Sequence, residues 1–260
     1  MTMERAPVVI VSGGVRCGTS LGVAMLEAGG MDIAGAGPPF YEHDQVKANI
    51  RLVLGDFLRH ARGTHPGQHM RWWGLPVLWS LRTACAGGRR FSIDAEWFAT
   101  LGGCAVKVPM PHYVKVPAGN HRALWIDRNE ETRAISLLRH IDIEESPERI
   151  EALARYFTAA RRAGRAALVE SGAQILDLRF EDLVKGALSC RRAVDRIAAF
   201  LDRPVDREAM VARAAQYYRE GNDLDRMADH IPGWNANPWN VLRTMRRTSM
   251  AALRGNSGAP

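Results

Sequence analysis

A short apolar strand that runs into a glycine-rich turn constrains the fold of this chain most strongly. Residues 8–11 are all β-branched, a glycine pair follows at Gly13 and Gly14, and Gly18 opens a segment of helical character. A strand–loop–helix turn of this kind directs several backbone N–H groups and a helix N-terminus toward one point, where anions bind. Arg16 adds a fixed positive charge with a forked set of donors. The segment therefore predicts a site for a phosphate-like group at the end of the first strand.

Three common phosphate-binding loops each differ from this segment by one residue. The glycine spacing is that of a nucleotide-hydrolysing P-loop, but Thr19 stands where its lysine belongs. A dinucleotide-binding loop needs a glycine where this chain has Val15. A cysteine phosphatase would place an arginine six residues after Cys17, at the position of Val23. The remaining alternative is a strand–helix turn whose glycines only allow the chain to turn tightly.

The segment Arg-Cys-Gly-Thr-Ser at 16–20 resembles the 5′-phosphosulfate-binding loop, K/R-S-G-T-[ST], of sulfotransferases that use 3′-phosphoadenylyl sulfate (PAPS). In that resemblance Arg16 takes the place of the catalytic lysine or arginine. Cys17 replaces a serine; we interpret it as a small residue, although a thiol at a helix N-terminus can be reactive. The loop residues that the resemblance assigns to the cofactor are Gly14, Val15, Arg16, Cys17, Gly18, Thr19 and Ser20.

A second segment resembles the other half of the same cofactor site. The predicted strand 124–128 ends at Arg128, and Ser136 follows eight residues later on a predicted helix over 129–140. Eight helical residues rise about 12 Å, so the two side chains converge only if the chain turns back sharply between them. The resemblance implies that Arg128 and Ser136 hold the 3′-phosphate, which distinguishes PAPS from ATP. The alternative is that Arg128 is a surface charge at a strand end and Ser136 an ordinary helix residue.

Further segments are similar to bacterial members of this family, in the family's order. Phe180 lies in one of them and, by the resemblance, borders the adenine. The segments are 38–42, 46–47, 105–108, 178–183 and 197–201. With the two cofactor segments they extend the resemblance over roughly residues 7–47, 101–140 and 174–218.

The resemblance also supplies candidates for the chemistry. Glu42, after an aromatic pair, is the first candidate for the base that takes the acceptor's proton, and the neighbouring His43 is the second. An exposed loop pair is the alternative for both. Lys107 interrupts an apolar run, where a lysine is costly unless it faces an anion, so we expect a second contact to the transferring group. A register error would exchange it with Lys115. No metal is expected.

Periodicity predicts a single α/β domain over residues 1–260, a P-loop-like three-layer fold with a mainly parallel central sheet flanked by helices. Ligands in such sheets bind at the carboxyl ends of the strands, where Arg16 and Arg128 fall. The predicted strands are 7–12, 103–108, 123–127 and 174–178. The predicted helices are 18–28, 44–60, 75–85, 129–140, 146–163, 188–202 and 206–218.

Composition limits the location and the partners. The net charge is +7, but the 35 basic residues are spread along the chain without a dense block, which disfavours a nucleic-acid partner. No apolar run is long enough for a membrane span, and the four cysteines have no ligand-like spacing, so we expect a cytoplasmic protein without stable membrane insertion. Residues 50–100 and 220–260 match no segment of the family and are expected to form acceptor-site or interface elements.

Three function classes remain at this point. The first is a sulfotransferase that moves a sulfuryl group from PAPS to a hydroxyl or amine of a small-molecule, glycan or lipid acceptor and releases 3′-phosphoadenosine-5′-phosphate (PAP). The second is an ATP-dependent kinase or NTPase with a degenerate loop, which requires Mg²⁺. The third is a non-catalytic protein that binds anions or nucleic acid, with steep salt dependence. A homodimer is compatible with each of them.

Overall fold

A sheet of five parallel strands forms the centre of the computed structural model, which describes residues 6–35, 91–109, 111–140 and 144–216. Its strands are β1 (Val8–Gly13), β2 (Ile33–Ala34), β4 (Ala105–Pro109), β6 (His121–Asp127) and β7 (Ala173–Arg179). They lie in the order β2-β4-β1-β6-β7. Every residue of β1 is buried, as expected for a central parallel strand covered on both faces. The remaining strands, β3 (Phe91–Ser92) and β5 (Val114–Lys115), form a separate parallel pair.

Helices cover both faces of this sheet. They are α1 (Thr19–Ala28), α2 (Ala95–Thr100), α3 (Glu130–His140), α4 (Pro147–Glu170), α5 (Phe180–Val184), α6 (Ala187–Leu201) and α7 (207–216). Alternate residues of a strand point to opposite faces. Val9 and Val11 of β1 accordingly pack in a core with α1, α6 and α7, whereas Val8 and Ile10 pack in a second core with α2 and α4. A third cluster joins α3 to α4. The predicted three-layer α/β architecture is confirmed.

The predicted strands lie within two residues of β1, β4, β6 and β7 at each end. The helix predicted over 146–163 was too short, because α4 continues to Glu170. Gly164 does not end it: a Cβ there would lie 2.8 Å from the ring of Trp125, so this glycine permits a close approach of the helix to the sheet. The predicted helices 44–60 and 75–85 lie outside the described residues.

The strands end together at one side of the sheet. Gly13, the last residue of β1, is in register with Pro109 of β4 and Ile126 of β6, and Asp127 is in register with Arg179 of β7. We call this side the carboxyl edge. The loop from β1 to α1 and the residues just after β6 and β7 therefore meet there. In the described part of the chain, none of the helices combines the length and apolar character needed to cross a membrane.

Candidate functional site

The loop 14–18 joins β1 to α1 at the carboxyl edge. Gly18, the N-cap of α1, has a left-handed backbone with φ of 89°, which glycine adopts without steric cost. A Cβ at this position would also overlap the ring of Phe180, so both backbone and packing require a glycine. Within the described residues, no side chain caps the helix. In this part of the chain the first N–H groups of α1 are therefore available to an anion.

Arg16 lies at the middle of this loop, and described hydrogen bonds hold both this residue and the peptide before it. Its backbone is left-handed, with φ of 62°, a conformation that costs a non-glycine residue roughly 1–2 kcal/mol. Arg133 Nε donates to the Val15 carbonyl at 2.6 Å, and Arg128 Nη1 donates to the carbonyl of Arg16 at 3.3 Å. The Arg16 side chain in turn donates from Nε to Ser136 Oγ at 3.1 Å. Backbone and side chain of Arg16 are thus fixed together.

The sharp turn required between Arg128 and Ser136 is present. β6 ends at Asp127, and α3 begins at Glu130 after a cap in which Asn129 Oδ1 accepts from the Thr132 N–H at 3.0 Å. The turn brings Arg128 and Ser136 to the same residue, Arg16, one to its carbonyl and the other to its side chain. The two predicted side chains therefore meet at loop 14–18.

Arg128 itself has an incomplete environment. Its guanidinium lies 4.7 Å above the centre of the Phe180 ring, and its Nε is buried with no hydrogen-bond partner among the described residues. Burial, followed by the positive charge of Arg16, lowers the pKa of Arg128. An anion at this position would offset both effects and would satisfy the buried donor.

Lys107 reaches the same site from the neighbouring strand. It is buried on β4, and its Nζ donates to Ser20 Oγ at 2.9 Å in the first turn of α1. An ammonium group can only donate, so the Ser20 hydroxyl accepts this bond and directs its own proton to another acceptor. Lys115 is exposed on β5, in the separate strand pair. The structure therefore places Lys107, and not Lys115, at the loop.

Cys17 is a buried residue of the loop. Burial is the largest influence on its thiol and raises its pKa above the ordinary value of 9.0, although the positive charges of Arg133 and Arg128 oppose this. Its backbone N–H donates to the Gly14 carbonyl at 3.3 Å. The thiol is protonated and enclosed at neutral pH, which favours a small residue in a serine's place over a reactive cysteine.

The cations of the carboxyl edge share one property. In the hydrogen bonds described above, Arg16, Arg128, Arg133 and Lys107 all donate to uncharged oxygens. Among the described carboxylates nearby, Asp127 and Glu130 contact Arg161 at 2.8 and 3.1 Å, and Glu181 accepts from the Asn129 N–H at 3.1 Å. Their charges also act on Arg133 and Arg128. The described contacts therefore bring four cationic side chains to loop 14–18, at the N-terminus of α1.

Arg133 was missed by the sequence analysis. One feature of the sequence marks it: Arg133, Ala134, Leu137 and Leu138 follow the spacing of one helix face, and in the structure all four are buried. An arginine on an apolar face requires a partner inside the protein. The partner, the carbonyl of Val15, is distant in sequence and is found only from the structure.

Glu42 and His43, the candidate bases, lie outside the described residues. Within the described ranges, no group of three or more His, Cys, Asp or Glu side chains is placed to hold a metal ion. No model of a known protein family matches this chain, and no curated protein matches it significantly.

Proposed function

We propose that this protein transfers a sulfuryl group from PAPS to a hydroxyl or amine of an acceptor and releases PAP. The observation that carries the proposal is the meeting of Arg16, Arg128 and Ser136 at loop 14–18, with a buried Arg128 donor that has no described partner. PAPS carries a phosphosulfate at its 5′ position and a phosphate at its 3′ position. The loop suits the first group, and Arg128 with Ser136 suits the second.

Sulfuryl transfer needs positioning and stabilisation of charge on the leaving oxygen, as phosphoryl transfer does. When bound, PAPS supplies the sulfuryl group and a phosphate as leaving group. The N–H groups at the start of α1 and the Arg16 guanidinium would stabilise the charge that develops on that phosphate. Lys107, through Ser20 or directly, would provide the second contact to the transferring group.

The acceptor proton requires a base, and Glu42 or His43 fills this role in the proposal. The acceptor oxygen or nitrogen forms the new bond to sulfur, the bond from sulfur to the phosphate oxygen breaks, and the proton passes to the base. The acceptor is a small molecule, a glycan or a lipid. The three described cysteines, Cys17, Cys104 and Cys190, are free, in keeping with a reaction in the cytoplasm.

Calorimetric titration with PAP, AMP and ATP–Mg²⁺ tests this function. We expect PAP to bind most tightly and without metal, because only PAP presents both the 5′- and the 3′-phosphate. Preference for ATP–Mg²⁺ would replace the proposal with a kinase or NTPase. Equal affinity for PAP and AMP would show that no site for the 3′-phosphate exists. If no nucleotide binds, the protein is not a PAPS-dependent enzyme.

A further inference from the structure

We propose that Arg133 is a positioning residue that holds Arg16 and loop 14–18 in the anion-binding conformation from inside the protein. The inference rests on the proposed function only for the identity of the anion. The ordering of the loop by Arg133 can be tested without a ligand.

The surroundings of Arg133 are those of an internal support. Its side chain is only 2% exposed, and its guanidinium lies 3.6 Å from the centre of the Phe157 ring, in the cluster between α3 and α4. A leucine at this position of α3 would bury apolar surface without the cost of desolvating a charge. The charged side chain instead reaches out of the cluster and donates to the carbonyl of Val15 at 2.6 Å.

This hydrogen bond fixes a peptide group of the loop. The carbonyl of Val15 and the N–H of Arg16 belong to the same planar trans peptide and point in opposite directions. Because Arg133 binds the carbonyl from the core, the N–H of Arg16 is directed away from Arg133. Arg128 holds the following peptide through the carbonyl of Arg16. The two peptide planes on either side of the Arg16 Cα are thus both held, which maintains its left-handed φ of 62°.

Gly14 provides a second, independent contact. A Cβ at residue 14 would overlap the guanidinium of Arg133, so the backbone of the loop packs directly on this group. Gly14 is not among the residues with positive φ, so alanine would be accepted by the backbone. Gly14→Ala should therefore displace the Arg133 side chain from the loop while leaving its charge in the protein.

Amide hydrogen exchange of the unliganded full-length chain is the first measurement. Arg133→Met keeps the length of the side chain and removes its donors. In Arg133→Met and in Gly14→Ala we expect the amides of loop 14–18 to exchange about tenfold faster or more, as for loss of a hydrogen bond from a charged donor. The amides of β1 should be unchanged. Leu153→Ala, a control in the same buried cluster, should accelerate exchange in α3 and α4 but not in the loop.

Titration of the same variants with PAP and AMP is the second measurement. Both affinities should fall about tenfold or more and by the same factor, because loop 14–18 is assigned to the 5′ group that the two nucleotides share. Loop exchange or nucleotide affinity equal to that of the wild type would overturn the role of Arg133. If Arg133→Met does not fold, Gly14→Ala decides. If the wild type binds neither nucleotide, the proposed function fails, and hydrogen exchange alone decides whether Arg133 orders the loop.

Discussion

Arginines in two regions of this protein differ in the partners of their described hydrogen bonds and ion pairs. On the outer surface, four arginines of α4, α6 and α7 pair with carboxylates, and both members of each pair are at least 45% exposed. These pairs are Arg155–Glu151, Arg165–Asp177, Arg191–Glu208 and Arg207–Asp195. At the carboxyl edge, Arg16, Arg128 and Arg133 are partly or fully buried, and in the described hydrogen bonds they donate to uncharged oxygens.

This difference separates the arginines that form ion pairs on the surface from the arginines whose position allows them to bind a ligand. Exposed pairs gain little free energy because water and salt screen them. A partly or fully buried cation gains much more from an incoming anion, because screening is weaker there. The net charge of +7 alone does not make this distinction; the position of each arginine does.

Removal of the Arg16 side chain should have the largest effect. The rate of PAP release from PAPS can be measured with water, or with an alcohol found by an acceptor screen, as the acceptor. Arg16→Met should lower this rate roughly 10²–10³-fold, as for loss of a donor that stabilises developing charge. Arg155→Met, on the surface of α4, should leave the rate unchanged. A rate near that of the wild type in Arg16→Met would transfer the role to another cation of the edge, Lys107 first.

Arg128→Ala should have the next largest effect, on binding. PAP affinity should weaken by about 1.5–3 kcal/mol, the range for a charge-assisted hydrogen bond, and AMP affinity should weaken less, because AMP loses only the support that Arg128 gives to the loop through the Arg16 carbonyl. Calorimetric titration of wild type and variant with both nucleotides measures the difference. An equal loss for PAP and AMP would mean that Arg128 only supports the loop and does not contact the 3′-phosphate.

Short-range sequence preferences predict most of the backbone structure at the carboxyl edge. The β-branched run and the glycines of residues 8–18 specify a strand and a turn through short-range preferences, and the approach of Arg128 to Ser136 follows from a strand that passes directly into a helix. The apolar helix face marks Arg133 as buried, but its contact with the Val15 carbonyl, 118 residues away in sequence, could not be predicted. The two-residue strands β2, β3 and β5 were missed since so few residues carry no periodic pattern.

The pKa of the Cys17 thiol tests whether burial or the positive charges of the carboxyl edge have the larger effect inside the loop. Burial raises the pKa of this thiol in the folded protein above the 9.0 of the unfolded chain. Above that pH the unfolded state loses its proton first, so the free energy of unfolding should fall between pH 9 and 10, by at most about 1 kcal/mol from this residue alone.

Chemical denaturation of wild type and Cys17→Ser at both pH values isolates this contribution, because serine does not titrate there. The native thiol should also react slowly with iodoacetamide at pH 8. Rapid alkylation of Cys17 in the folded protein, or an equal loss of stability in Cys17→Ser, would mean that the cations of the edge outweigh burial.

The smallest effect is expected on the surface, at Arg165. Its guanidinium binds both carboxylate oxygens of Asp177, at 2.9 and 2.6 Å, and both side chains are about half exposed. Arg165→Ala should lower the free energy of unfolding by about 0.2–1 kcal/mol, and the loss should shrink in high salt because the pair is screened. PAP affinity should not change, since Asp177 already neutralises this arginine. A tenfold weaker PAP affinity in Arg165→Ala would show that paired surface arginines also attract the ligand, and the distinction between the two regions would no longer hold.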